Sequence, residues 1–130
     1  MESVLAETTA QLRAAGCVFA EEEAAILLAA ADPQGPRALP ELVRRRAAGE
    51  PLEQVAGYAD FCGVRVKLRP GVFVPRVRSE LLVRTAAAHA GARTIIDLCC
   101  GSGALGLAVT NAMKTTTHLY ATDSDPNATA

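Results

Sequence analysis

Three glycines, Gly101, Gly103 and Gly106, have the spacing G-x-G-x-x-G. Glycines at this spacing let a backbone approach a ligand closely, and a helix that starts there offers free N–H groups. The pattern alone also fits dinucleotide enzymes. Two acids narrow it. Asp97 stands four residues before the first glycine. A carboxylate there would repel a pyrophosphate but not a ligand with a positive centre. Asp123 follows Gly103 by twenty residues. There a carboxylate can accept hydrogen bonds from two ribose hydroxyls. A nucleoside that also carries an amino acid satisfies both acids, which points to S-adenosylmethionine. The competing reading is a strand end and helix cap with no ligand.

These residues need a strand, a loop and a helix to hold them. Thr94 to Leu98 reads as a strand of β-branched and apolar residues. Ala104 to Met113 reads as a helix, with Leu105, Ala108, Val109 and Ala112 on one face. His118 to Thr122 reads as a second strand, parallel to the first. Upstream, the pattern predicts helices from Ser3, as a cap, to Ala15, from Ala20 to Ala31 and from Pro40 to Ala48. A helical turn from Pro51 to Val55 follows. Pro33 to Pro36 reads as a turn. Tyr58 to Cys62 and Val64 to Leu68 form a hairpin around Gly63, Val72 to Val74 a further strand, and Ser79 caps a helix to Ala90. The division expected is a helical domain over 1–55, a hairpin linker over 56–78 and an α/β portion over 79–130.

Composition limits the alternatives. The chain has 130 residues, about one domain, and half are hydrophobic. Its formal net charge of −1 gives no global signal for nucleic acid. Bases concentrate in residues 37–93, a segment able to meet an acidic partner or RNA, although a solvated face is the simpler reading. Cys17, Cys62, Cys99 and Cys100 form no C-x-x-C, so no zinc site is expected. Cys99 and Cys100 are adjacent, a poor disulfide geometry, and reduced thiols in the cytoplasm are expected. No secretory signal is legible at the start, and the apolar run Ala24 to Ala31 is too short to span a bilayer.

Three further runs carry a resemblance. They are Arg45-Arg46-Ala47-Ala48-Gly49-Glu50-Pro51-Leu52, Gly57-Tyr58-Ala59-Asp60-Phe61-Cys62-Gly63 and Pro70-Gly71-Val72-Phe73-Val74-Pro75-Arg76. With the glycine loop, and in this order, they resemble the HemK-type protein-(glutamine-N5) methyltransferases that modify peptide-chain release factors. The resemblance implies an α/β class I, Rossmann-like methyltransferase domain behind a small helical N-terminal domain, with S-adenosylmethionine as cofactor. It implies that Asp97, Cys99, Cys100, Gly101, Ser102 and Gly103 hold the methionine end and Asp123 the ribose. Arg76 and Glu80 fall in a run expected at the substrate entrance. The helical domain would help recognise the release factor, with nucleic acid involved only indirectly. The amide nitrogen of the substrate glutamine is a weak nucleophile, so orientation and hydrogen bonding must supply most of the catalysis.

The sequence departs from the pattern in three ways. Cys99 and Cys100 replace glycine and a small residue, and the Cβ of Cys99 is expected to resist a positive φ. Pro75-Arg76-Val77-Arg78-Ser79-Glu80 replaces a proline-arginine-proline-glutamate-threonine-glutamate run, with Arg78 reversing a charge. The Asn-Pro-Pro-Tyr motif that resemblance assigns to the amide does not occur in the 130 residues. The expectation is a truncated N-terminal portion, inactive by itself, with no catalytic residue named. The alternatives are a non-catalytic docking module for a translation factor and an adenine N6-methyltransferase.

Overall fold

The computed structural model describes residues 2–35, 37–89, 91–115 and 117–129. The chain forms two compact units, Met1–Gly57 and Tyr58–Ala130.

The first unit is helical: α1 (Glu2–Ala14), α2 (Ala20–Ala31), α3 (Ala38–Ala47) and α4 (Leu52–Ala56). Leu12 of α1 and Leu27 of α2 are fully buried, and Leu42, Val43 and Val55 join them in the core. α1 begins at Glu2, two residues before the Val4 start that a Ser3 cap implies, so Ser3 lies within its first turn rather than capping it. α3 begins at Ala38, and Pro40 stays in its first turn, where a missing N–H costs little. A 3-10 turn, Asp32–Gln34, ends α2. The turn expected to run to Pro36 ends outside the described residues.

The three arginines of α3 do more than cover its surface. Arg46 reaches back to α2, donating from Nε to Oε2 of Glu23 at 2.6 Å and from a terminal nitrogen to Oε1 at 3.1 Å. Glu23 is itself buried. Arg45 pairs with Glu50, and Arg44 pairs with Glu41 one helical turn away.

The second unit begins with an antiparallel hairpin, β1 (Tyr58–Phe61) and β2 (Val64–Lys67), in which Phe61 faces Val64. Cys62 and Gly63 link the strands with φ of 47° and 75°. Two positive values suit a two-residue turn whose twist matches the strands. Residues 72–74 form no regular secondary structure and pair in no strand ladder among the described residues. Pro70 and Pro75 flank them and cannot donate to a ladder, which leaves too short a run for a strand. A 3-10 turn, Val77–Ser79, then leads into α5 (Glu80–Ala87). Ser79 has helical dihedrals and makes no side-chain cap bond, so the expected capping role is corrected. The expected end of this helix at Ala90 lies outside the described residues.

After α5 come β3 (Thr94–Leu98), α6 (Ala104–Met113), β4 (His118–Thr122) and α7 (Pro126–Thr129). β3 and β4 pair in parallel, with Ile96 opposite Tyr120 and Leu98 opposite Thr122. The core joins Phe61, Val66, Leu68 and Val72 to Val83 of α5 and to Ala104, Ala108 and Val109 of α6. The hairpin read from sequence as a linker is therefore part of the second unit's core. α6 packs on β3 and β4 from one side, while Ile96, Leu98 and Tyr120 are exposed.

Candidate cofactor site

The loop between β3 and α6 is built from left-handed residues. Cys99, Gly101 and Gly103 have φ of 57°, 53° and 76°. The expectation that Cys99 would avoid this region is corrected, because the chain turns there to bring the Cys100 N–H to the last carbonyl of β4. Three backbone bonds fix the reversal. The Cys100 N–H donates to the Thr122 carbonyl at 3.0 Å, the Gly103 N–H to the Cys100 carbonyl at 2.8 Å, and the Leu107 N–H to the Gly103 carbonyl at 3.0 Å.

The two acids fasten the loop at either end. Oδ2 of Asp97 accepts the Gly106 N–H at 2.9 Å, tying β3 to the first turn of α6. Oδ2 of Asp123 accepts the Gly101 N–H at 2.8 Å, and its Oδ1 accepts the Asp125 N–H at 2.9 Å. These two amides hold the Asp123 carboxyl below its ordinary range, the Asp125 bond having the larger effect. Each carboxylate oxygen keeps a second lone pair. Burial pushes the Cys100 thiol up, and the nearby charges of Asp97 and Asp123 push it further. Cys100 is therefore a protonated, buried filler of the turn, and Cys99 is exposed.

Gly106 is where the helix meets the sheet. A Cβ on it would stand 2.7 Å from Cδ1 of Leu119 and 3.1 Å from the Asp97 Cβ. Only glycine permits this approach. Gly101 differs, since a Cβ there would meet nothing within 4 Å. Its upper side is open to a ligand.

A cavity of about 260 Å³ lies against the loop, lined by Cys100, Gly101, Ser102 and Gly103 and walled by Leu107 and Leu119. Ligand pockets commonly reach about 300 Å³ or more, so this one suits one end of a nucleoside ligand. Apolar walls beside an ionised acceptor match a ligand that is part apolar and part hydroxyl-bearing. The residues present thus fit S-adenosylmethionine. Asp97, Cys99 and Asp123 bracket the loop without lining the cavity. Arg76 and Glu80 line neither this cavity nor the one beside it. The Arg76 guanidinium instead lies over the Phe73 ring, 5.1 Å from its centroid.

α7 is the part that the sequence reading missed. Ala128 and Thr129 line the same cavity. The signal was Asp125-Pro126, an acid followed by proline at a first helical position. Oδ1 of Asp125 accepts the Asn127 N–H at 2.9 Å. Among the described residues, no group of three or more metal-binding side chains comes together, and no helix is long and apolar enough to cross a membrane.

The sequence is similar to known proteins. The family described as methyltransferase small domain matches residues 63–130, just over half of the chain. The chain is 42% identical over 90 residues to a release factor glutamine methyltransferase of Corynebacterium glutamicum, covering 66% of this chain and 32% of that protein. It is 40% identical over 76 residues to the enzyme of the same name in Aliivibrio fischeri, covering 57% of this chain and 27% of that one. It is also 40% identical over 73 residues, 50% of this chain and 25% of the relative, to a 4-amino-L-phenylalanine/4-methylamino-L-phenylalanine methyltransferase of Streptomyces pristinaespiralis. The chain thus spans between a quarter and a third of the length of these curated relatives. These matches show that the chain belongs to the methyltransferase small domain family and bear out its resemblance to the HemK-type glutamine methyltransferases.

Proposed function

We propose that these residues form the cofactor-binding part of an S-adenosylmethionine-dependent protein-glutamine N5-methyltransferase acting on peptide-chain release factors. The observation that carries this is the loop of residues 99–103, fastened by Asp123 at Gly101 and backed by Asp97 at Gly106. The cofactor supplies a methyl group on a positively charged sulfur. The protein's own residues orient and enclose it. Gly101 and Gly103 give the cofactor's amino-acid end close access to backbone, Ser102 lines its seat, and the remaining lone pairs of Asp123 take ribose hydroxyls. Asp97 supports the loop and contributes negative charge on the side of the positive centre.

The helical unit over 1–55 is the release-factor recognition module in this reading. Val18 and Phe19, exposed between α1 and α2, give it an apolar contact feature. Arg76 and Glu80 belong to the substrate entrance. The four cysteines are unpaired, which supports a cytoplasmic setting.

Calorimetric titration with S-adenosylmethionine tests the proposal. The wild-type chain should bind saturably, and Asp123→Ala should abolish binding while the fold still melts cooperatively. A cooperatively folded wild-type chain that binds no cofactor would leave the docking-module reading in its place.

A further inference from the structure

A second cavity, of about 420 Å³, adjoins the cofactor cavity and shares Ser102, Leu107 and Ala128 with it. Its other wall is the hairpin. Arg65, Lys67 and Arg69 occupy alternate outward positions there, so period-two geometry brings three cations to one face. Arg65 is already engaged. It donates to Asp60 at 2.7 and 2.8 Å and stacks over the Tyr58 ring at 4.1 Å. The side chains of Lys67 and Arg69 have no ion-pair or hydrogen-bond partner among the described residues. Asn127 supplies a neutral polar group across the groove, and buried Val66 and Val72 complete the lining.

Two unpaired cations beside a partly apolar wall select an anion on a short segment. Among the described residues the groove has no aromatic lining, so they offer no stacking surface for bases. Asp123 and Asp125, joined by a hydrogen bond at the glycine loop, would oppose a polyphosphate running past it. A peptide whose acidic side chains stop at the two cations, with only its neutral part reaching the loop, meets neither objection. We propose that Lys67 and Arg69 bind acidic side chains of the substrate polypeptide and lay it along the groove toward the cofactor cavity. The proposal rests on the methyltransferase reading and names a substrate preference for it, acidic residues flanking the methyl-accepting one.

The test is fluorescence anisotropy with the 130-residue chain in saturating S-adenosylhomocysteine. The probes are a labelled peptide with one central glutamine flanked by glutamates and its serine-flanked counterpart. The acidic peptide should bind about tenfold more tightly, an advantage that fades as salt rises. Lys67→Gln with Arg69→Gln should erase the advantage and leave the S-adenosylhomocysteine affinity, read separately by calorimetry, unchanged. Lys67→Glu with Arg69→Glu should reverse the preference in a chain that keeps its melting curve. Equal binding of the two peptides, or an undisturbed advantage in the double variant, would overturn the proposal. So would a parallel loss of cofactor affinity, which would make the groove part of the cofactor site. Tighter binding of a single-stranded oligonucleotide at the same residues would overturn it in favour of nucleic acid. Absence of cofactor binding in the wild type would sink the methyltransferase reading instead, and calorimetry records that independently of the peptides.

Discussion

The Asp97 carboxylate accepts the Gly106 amide hydrogen at 2.9 Å across a contact that no side chain at 106 could share. Strand and helix are held by one hydrogen bond and by the missing Cβ. Gly106→Ala should therefore destabilise, although alanine favours helices by about 1 kcal/mol over glycine. Overpacking costs about 1–3 kcal/mol, and the new methyl would meet both Leu119 and the Asp97 Cβ. The net loss expected is roughly 1 kcal/mol, seen as a lower midpoint in urea. A midpoint equal to or above wild type would show that α6 shifts without cost.

Asp123 predicts a pH dependence. Its folded carboxyl titrates below the ordinary range because the Asp125 and Gly101 amides favour the ionised form. Its contribution is complete above the unfolded value, about 3.9 for aspartate. That contribution is lost as pH falls through the lower folded value. Asp123→Asn should flatten this acid limb of stability. An unchanged acid limb in the variant would mean that the loop does not depend on the carboxylate's charge.

Cys99 holds a left-handed φ of 57° despite its Cβ. That region costs an ordinary residue about 1–2 kcal/mol, while glycine gives back part of the gain through a more flexible unfolded chain, about 0.4–1 kcal/mol. Cys99→Gly should thus stabilise by roughly 0.5–1 kcal/mol, and Cys99→Val should destabilise because a β-branched residue fits the region poorly. Brief alkylation at neutral pH should label exposed Cys99 before Cys17, Cys62 and Cys100, whose thiols burial pushes up. Peptide mapping reads the order directly.

The elements that carry the site were legible because their signals are local. β3, α6 and β4 have the bounds that β-branched runs, glycines and helical periodicity predicted. The glycine spacing located the loop, and the two acids located its ends. What the acids do there depended on three-dimensional facts. Nothing in the sequence shows that Asp97 bonds to Gly106 or that Asp123 bonds to Gly101. Residues 72–74 misled because their β-branched content is strand-like, and strand formation is decided by whether a neighbour is within reach. Cys99 misled because intrinsic φ preference is weak beside three backbone bonds that fix the turn. The outward alternation of Arg65 and Lys67 is visible in the sequence, but Arg69 reads as part of a turn, and the groove needs α7, whose start signal is short.

In the helical unit, the Arg46–Glu23 pair should be worth more than the exposed pairs around it. Arg44–Glu41, in the same unit, is solvent-exposed, and pairs of that kind contribute little because water screens them. Glu23 is buried, and removing its partner leaves an uncompensated charge. Arg46→Ala should cost about 3 kcal/mol, the low end for a buried pair, because Arg46 keeps some solvent contact. The Arg46 hydrogen bond holds the Glu23 carboxyl below its ordinary range. The pair's contribution is full above about pH 4.3, the unfolded glutamate value, and fades as pH falls through the folded one. Glu23→Gln should flatten this dependence in acid titrations followed by circular dichroism. A loss for Arg46→Ala no greater than for Arg44→Ala would show that Glu23 is solvated after all.

The bare face of the β3–β4 pair gives the last prediction. α6 covers one side, where Ile95 is partly buried, while on the other Ile96, Leu98 and Tyr120 are 61%, 72% and 59% exposed. Parallel strands are ordinarily covered on both faces, and an uncovered apolar face beside unpaired strand edges favours association. Concentration-dependent self-association should therefore appear in light scattering. Leu98→Thr and Ile96→Thr keep the β-branched or strand-compatible character of the positions and remove apolar surface. They should suppress association without lowering the thermal midpoint by more than about 1 kcal/mol equivalent, since neither side chain is in the core. Undiminished association in the double variant would assign it to another surface, such as exposed Val18 and Phe19 of the helical unit.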